Sequence, residues 1–259
     1  MLLAIDIGNT NIVVGGFLGE QLLFEYRLQS DLKRTVDEYR AQLLSLMSAS
    51  NKSNAEVHAA IICSVVPPLT PTITEVIQSS FNITPLEVGA GIKTGIAIKM
   101  SDPTQVGADR IVNGLAAREV YGNHSLVVDF GTATTFDYIN KQGAYEGGVI
   151  APGLHTSLES LVRNTAKLPR IDLVWPQKII GKNTVHAMQS GALVGYVCLV
   201  DGIIDYIQDE VGQLDHIVAT GGLGKVITDH SKRIASYNPN LTLIGMRLIA
   251  ELNLDKNKK

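Results

Sequence analysis

Ala4-Ile5-Asp6-Ile7-Gly8-Asn9-Thr10-Asn11-Ile12-Val13-Val14-Gly15-Gly16-Phe17 is the stretch on which the reading of this chain turns. An apolar run ends in a carboxylate, passes through small polar residues and a glycine, and resumes as a second apolar run, the pattern of a short β-hairpin with Asp6 at its mouth. Two readings fit. The Gly-Asn-Thr-Asn turn is ordinary hairpin punctuation, or it is a cradle for a phosphate and a metal ion. In the second case Gly8 lets backbone approach a bulky anion, Asn9, Thr10 and Asn11 supply donors, and Asp6 offers the hard oxygen that Mg²⁺ prefers, directly or through water.

A related stretch follows at Leu126-Val127-Val128-Asp129-Phe130-Gly131-Thr132-Ala133-Thr134-Thr135-Phe136-Asp137-Tyr138-Ile139. Again an apolar run meets Asp, an apolar residue, Gly and a hydroxyl-rich turn. Asp6 and Asp129 lie 123 residues apart (129 minus 6), close to half of the 259-residue chain. That spacing predicts a duplication: two related lobes, 1–115 and 116–259, with carboxylate-bearing hairpins that face each other across a cleft able to take a nucleoside triphosphate.

Composition bounds the alternatives. With 45% hydrophobic residues the chain can bury one large core or two moderate ones, and its 24 glycines suit many turns. The net charge of -3 gives no basic field, so nucleic acid is not an expected partner, and the basic run Lys256 to Lys259, broken by Asn257, reads as a solvated tail. Cys63 and Cys198 sit inside separate apolar runs, the mark of buried reduced thiols. The first strand begins at once with no charged leader before it, and no uninterrupted apolar segment reaches about 20 residues, so the expectation is a cytoplasmic protein without a membrane partner. The histidines at 58, 124, 155, 186, 216 and 230 show no metal-ligand spacing.

Between the hairpins, Gln21 to Leu28 reads as a third strand. Thr35-Val36-Asp37-Glu38 has the form of a capping box ahead of a helix to about Ser48. Ala59 to Val66 reads as a buried strand, a helix ends near Phe81, and Ile96-Ala97-Ile98 reads as a further strand. The second place where chemistry shows is Asp102-Pro103-Thr104-Gln105-Val106-Gly107-Ala108-Asp109-Arg110, an irregular loop opening into a helix near Ala108. Asp109 in a first helical turn can serve the helix dipole alone; Arg110 there opposes the dipole, which points to a ligand or to an ion pair with Asp102. Farther on, Thr184 opens a long helical pattern that it can cap, and Ile217 to Gly222 is a strand running into a Gly-Gly turn.

Taken together, Asp6 to Asn11, Gly107 to Arg110, Asp129 to Thr135, Gly147-Gly148-Val149-Ile150-Ala151-Pro152-Gly153 and Thr220-Gly221-Gly222 resemble the motifs of the type III pantothenate kinases, in order and over nearly the whole chain. The resemblance implies an α/β, duplicated actin-like (ribonuclease H-like) fold of two lobes, each a mixed sheet flanked by helices. It implies transfer of the γ-phosphate of ATP to the primary hydroxyl of pantothenate, giving 4′-phosphopantothenate for coenzyme A synthesis, with Mg²⁺ and a monovalent cation (K⁺ or NH₄⁺), in a homodimer. By the same resemblance Asp6, Ile7, Gly8, Asn9, Thr10, Asn11, Ile12 and Val13 line the triphosphate with Asp6 on the magnesium side. Thr132 contacts ATP, Gly221 and Gly222 admit the adenosine, and Asp129 holds the monovalent cation. Asp109 is then the general base, Gly107, Ala108 and Arg110 hold pantothenate, and Thr184 reaches the substrate across the dimer interface. Met100 departs from the family, which carries an aromatic residue, usually tyrosine, at that place in the pocket wall; a thioether fills the volume without donating a hydrogen bond. Two other readings are a same-fold kinase for another small hydroxylated acceptor and a non-catalytic, ATP-binding transcriptional accessory protein. An intact Asp109 beside an intact Asp6 argues against the latter, because a switch needs no base.

Overall fold

In the computed structural model, which describes residues 1–254, the chain forms two compact units, one from residues 1–116 together with 240–254 and one from 117–239. The basic run expected as a tail lies outside the described residues.

In the first unit, β1 (Leu2–Ile7) pairs antiparallel with β2 (Asn11–Leu18) and parallel with β4 (Ala59–Ser64). Adding β3 (Gln21–Gln29) and β5 (Leu86–Glu87) gives the order β3-β2-β1-β4-β5. The central strands β1 and β4 are nearly all apolar because both faces are covered, whereas edge strand β3 carries Glu25 and Arg27 and stays half-exposed. The capping box forms as the sequence predicts: the Glu38 amide donates to Thr35 Oγ1 at 3.3 Å and the Thr35 amide to Glu38 Oε2 at 2.7 Å. It starts α1 (Val36–Ala49), whose Tyr39, Leu43 and Met47 stripe packs with α2 (Thr70–Phe81) into a core containing Leu3, Ile5, Ile7 and Ile12. The segment 96–98 forms no strand and contributes only an isolated bridge at Ile98. The first unit also holds the start of α3 (Ala108–Val120).

The second unit repeats the plan. Strands β6 (Ser125–Phe130), β7 (Ala133–Ile139), β8 (Tyr145–Pro152), β9 (His216–Thr220) and β10 (Ser236–Tyr237) take the order β8-β7-β6-β9-β10. Read in chain order within each unit, both sheets are 3-2-1-4-5, with the first three strands antiparallel and the rest parallel. The expected duplication is therefore present as two mixed five-stranded sheets. After α4 (Leu154–Arg163) the segment 171–175, read as loop or edge strand, is loop. A continuous helix, Thr184–Val211, follows as α5 (Thr184–Gln189), a π-helical turn (Ser190–Val194) and α6 (Gly195–Val211). By length and composition that helix could cross a membrane, but Leu193, Val197, Val200 and Ile204 are buried against Leu126, Val128 and Phe136, the use a folded domain makes of a core helix. The short α7 (Gly224–Thr228) follows β9.

The sequence reading carried the second lobe to residue 259. Instead α8 (Leu241–Leu254) packs on β1 and β4 of the first unit. Thr242 Oγ1 donates to Asn113 Oδ1 of α3 at 2.8 Å, and Asn253 exchanges hydrogen bonds with the Lys93 backbone. A mostly apolar helix needs an apolar surface to pack on, and local sequence does not say which sheet provides it.

Candidate active site

Asp6 sits one residue from the end of β1, in register with Val13 on one side and Cys63 on the other. Its carboxylate is half-buried, while Asn9, Thr10 and Asn11 are exposed at the turn. Ile7 and Ile12 face the hydrophobic core, so only their backbone can serve a ligand. The turn spans residues 8–11 and closes with the Gly8 amide on the Asn11 carbonyl at 3.0 Å.

Asp109 enters the same neighbourhood from α3. The Cys63 thiol is fully buried, and burial pushes its pKa well up, with smaller contributions from the charges of Asp6 and then Asp109. Burial raises the Asp109 pKa above the ordinary carboxylate value, opposed by the Arg110 amide, which donates to Asp109 Oδ1 at 2.8 Å, and by the Arg110 charge. The Gly107 carbonyl accepts the first helical bonds, from Arg110 at 3.1 Å and Ile111 at 3.3 Å. A Cβ at Gly107 would lie 2.5 Å from Asp109 Oδ1, so the carboxylate folds back into space that the glycine leaves open. Asp102 turns its carboxylate onto its own loop, accepting from the Thr104 amide and hydroxyl and from Gln105 Nε2, which lowers its pKa. Met100 is half-buried just ahead of this loop.

In the second unit Asp129 stands between Thr135 and Thr220. Its turn is one residue shorter than the first, spanning 131–133, with the Gly131 amide on the Ala133 carbonyl at 3.1 Å. Thr132 is exposed, and its carbonyl accepts from Thr156 Oγ1 of α4 at 2.8 Å. Gly221 adopts φ +85, and a Cβ there would meet Asp129 Oδ1 at 2.6 Å and the Phe130 carbonyl at 2.7 Å. The structure thus brings Gly221 against the Asp129 carboxylate, a juxtaposition set by the β6–β9 register that the motifs alone did not signal; Gly222 beside it is open.

Thr184 lies elsewhere in this unit. It does not cap its helix: Asn183 does, its Oδ1 accepting from the His186 amide at 2.9 Å. Asn183 was missed because either of two adjacent capping residue types satisfies the local pattern. Thr184 instead lines an apolar groove of about 750 Å³ with Leu158, Leu161, Met188 and Leu199. Tyr196 borders this groove and hydrogen-bonds Thr134 beside the second turn and the Pro152 carbonyl.

Among the described residues no three His, Cys, Asp or Glu side chains are grouped to hold a metal ion. Single carboxylates such as Asp6 and Asp129 fit cations that take most of their ligands from waters, carbonyls and substrate phosphates.

Comparison with known proteins gives the family. The family model described as type III pantothenate kinase matches residues 2–206. The chain belongs to that family. A type III pantothenate kinase of Dehalococcoides mccartyi (strain CBDB1) is 49% identical over 252 residues, covering 97% of this chain and 96% of the relative. One from Moorella thermoacetica is 47% identical over 253 residues, covering 98% and 100%. Among solved structures, a Campylobacter jejuni protein described as a Baf family transcriptional activator shares the fold with a TM-score of 0.60 at 19% identity, covering 98% of this chain and 99% of that one. Membership in the type III pantothenate kinases makes this an ATP-dependent kinase of coenzyme A biosynthesis.

Proposed function

We propose that this type III pantothenate kinase transfers the γ-phosphate of ATP to the primary hydroxyl of pantothenate with Asp109 as the general base. Membership in the family carries this reading, and the Asp109 carboxylate, folded back over Gly107 and held by the Arg110 amide, supports it as the base. Phosphoryl transfer asks the protein mainly for alignment and charge neutralisation. Asp109 accepts the hydroxyl proton as the oxygen attacks, and burial raises its pKa, which makes it a stronger base than an exposed aspartate. Arg110, Gly107 and Ala108 hold the acceptor, and Met100 closes the pocket wall.

The turn after Asp6 takes the triphosphate through the exposed Asn9, Thr10 and Asn11, with Ile7 and Ile12 offering backbone. Asp6 would hold Mg²⁺, directly or through water, which would supply charge to offset the phosphates, and Asp129 would hold K⁺ or NH₄⁺ beside the Thr132 turn. Thr132 also contacts ATP, and Gly221 and Gly222 admit the adenosine to bare backbone. The apolar groove that displays Thr184 supports a homodimer in which this threonine meets the partner's substrate. A cytoplasmic location accords with the substrates.

The deciding assay combines purified protein, ATP, Mg²⁺ and pantothenate, with and without K⁺. Wild type yields phosphopantothenate and Asp109→Asn loses about 10²–10⁴ in rate. Equal activity in the variant removes Asp109 from the role of base.

A further inference from the structure

The turn between β1 and β2 is gripped from a direction the motif does not contain. Ser30, just past β3, donates its hydroxyl to the Gly8 carbonyl at 2.6 Å and its amide to the Thr10 carbonyl at 3.0 Å. With the Asn11 carbonyl taken by the Gly8 amide, three carbonyls of the turn are engaged by protein donors. In a planar trans peptide the C=O and the following N–H point opposite ways. Pulling the Gly8 and Thr10 carbonyls toward Ser30 therefore turns the amides of Asn9 and Asn11 away from it, and keeps carbonyl lone pairs from facing an anion.

Ser30 is itself fixed. Tyr39, buried on α1, accepts from the Asp31 amide at 2.8 Å, and its hydroxyl lies 3.0 Å from the Asp31 carbonyl and 3.3 Å from that of Gln29. The residues on either side of Ser30 are thereby tied to a helix whose first turn is locked by its capping box. The second turn has a comparable outside brace in Thr156 on the Thr132 carbonyl.

We infer that Ser30, anchored by Tyr39, is a positioning residue that presets the amides of the first turn for the ATP phosphates; this rests on the reading of that turn as the triphosphate site. In the full-length enzyme with Mg²⁺, Ser30→Ala raises KM for ATP about 3- to 10-fold, the loss of one hydrogen bond, while KM for pantothenate stays put. Ser30→Thr, which keeps the hydroxyl, restores KM for ATP. Tyr39→Phe shifts KM for ATP in the same direction. An unchanged KM for ATP in Ser30→Ala, or equal shifts in both KM values, overturns the inference. Asp6→Asn run alongside separates the two ideas: if it alters ATP kinetics and Ser30→Ala does not, only the role of Ser30 fails, whereas if neither does, the turn is not the phosphate site. Should Ser30→Ala lose its native circular dichroism, Tyr39→Phe, which leaves the ring in the core, decides on the same criteria.

Discussion

Gly107→Ala isolates the placement of the base from its identity. The new methyl would lie 2.5 Å from Asp109 Oδ1, and ordinary contact begins at 3.4 Å, so the carboxylate must retreat by 0.9 Å (3.4 minus 2.5). Retreat also breaks the 2.8 Å bond from the Arg110 amide, one of the influences that hold the Asp109 pKa down. Gly107 is not in the left-handed region, and the obstructing atom is the end of a side chain, so the backbone accepts alanine. A displacement of about 1 Å at a reacting group costs on the order of 10²-fold in rate. The expected result is a kcat reduced about 10²-fold, a melting temperature close to wild type, and an acid limb of the pH–rate profile moved to higher pH. Steady-state kinetics from pH 5 to 8 with parallel calorimetry reads all three. A folded variant with wild-type kcat would refute the argument that Asp109 works from its folded-back position.

Further outcomes follow from the same geometry. Because burial raises the Asp109 pKa, activity on the acid side falls at a higher pH than for an exposed aspartate; Arg110→Ala removes a charge that opposes the shift, so its limb in kcat/KM lies higher still. A limb that moves down on this substitution contradicts the assignment. Asp129→Asn abolishes the difference between assays with K⁺ and with Na⁺, and a retained difference sends the cation elsewhere. Gly221→Ala puts a methyl 2.7 Å from the Phe130 carbonyl at φ +85, costing about 1–2 kcal/mol for the left-handed backbone alone, so its melting temperature falls where that of Gly107→Ala does not. Met100→Tyr lowers KM for pantothenate by restoring a donor, and an unchanged KM would show that the thioether costs the pocket nothing.

The parts of this protein legible in its sequence are those whose signals are local. The Asp6 and Asp129 hairpins announce themselves by an apolar run, a carboxylate and a glycine turn, and Thr35 and Glu38 mark a helix start through side chains three residues apart. What escaped is what depends on distant partners. Residues 96–98 are apolar enough for a strand but find only one bridge. The α8 sequence fits any apolar surface, so its return to β1 and β4 is invisible until the sheets exist. Gly221 meets Asp129 only through strand register, and Ser30 reaches the first turn across 22 residues with no motif to mark it.

The return of α8 makes the middle of the chain an insertion. Residues 117–239 are contiguous and hold a complete sheet and core, whereas 1–116 take part of their cover from α8, on the far side of that insertion. The core that β1 and β4 share with α1 and α2 uses no residue of α8, which packs on the same two strands from a distant part of the sequence. Two stretches far apart in sequence thus make one unit, and the unit bearing Asp6 and Asp109 draws on both.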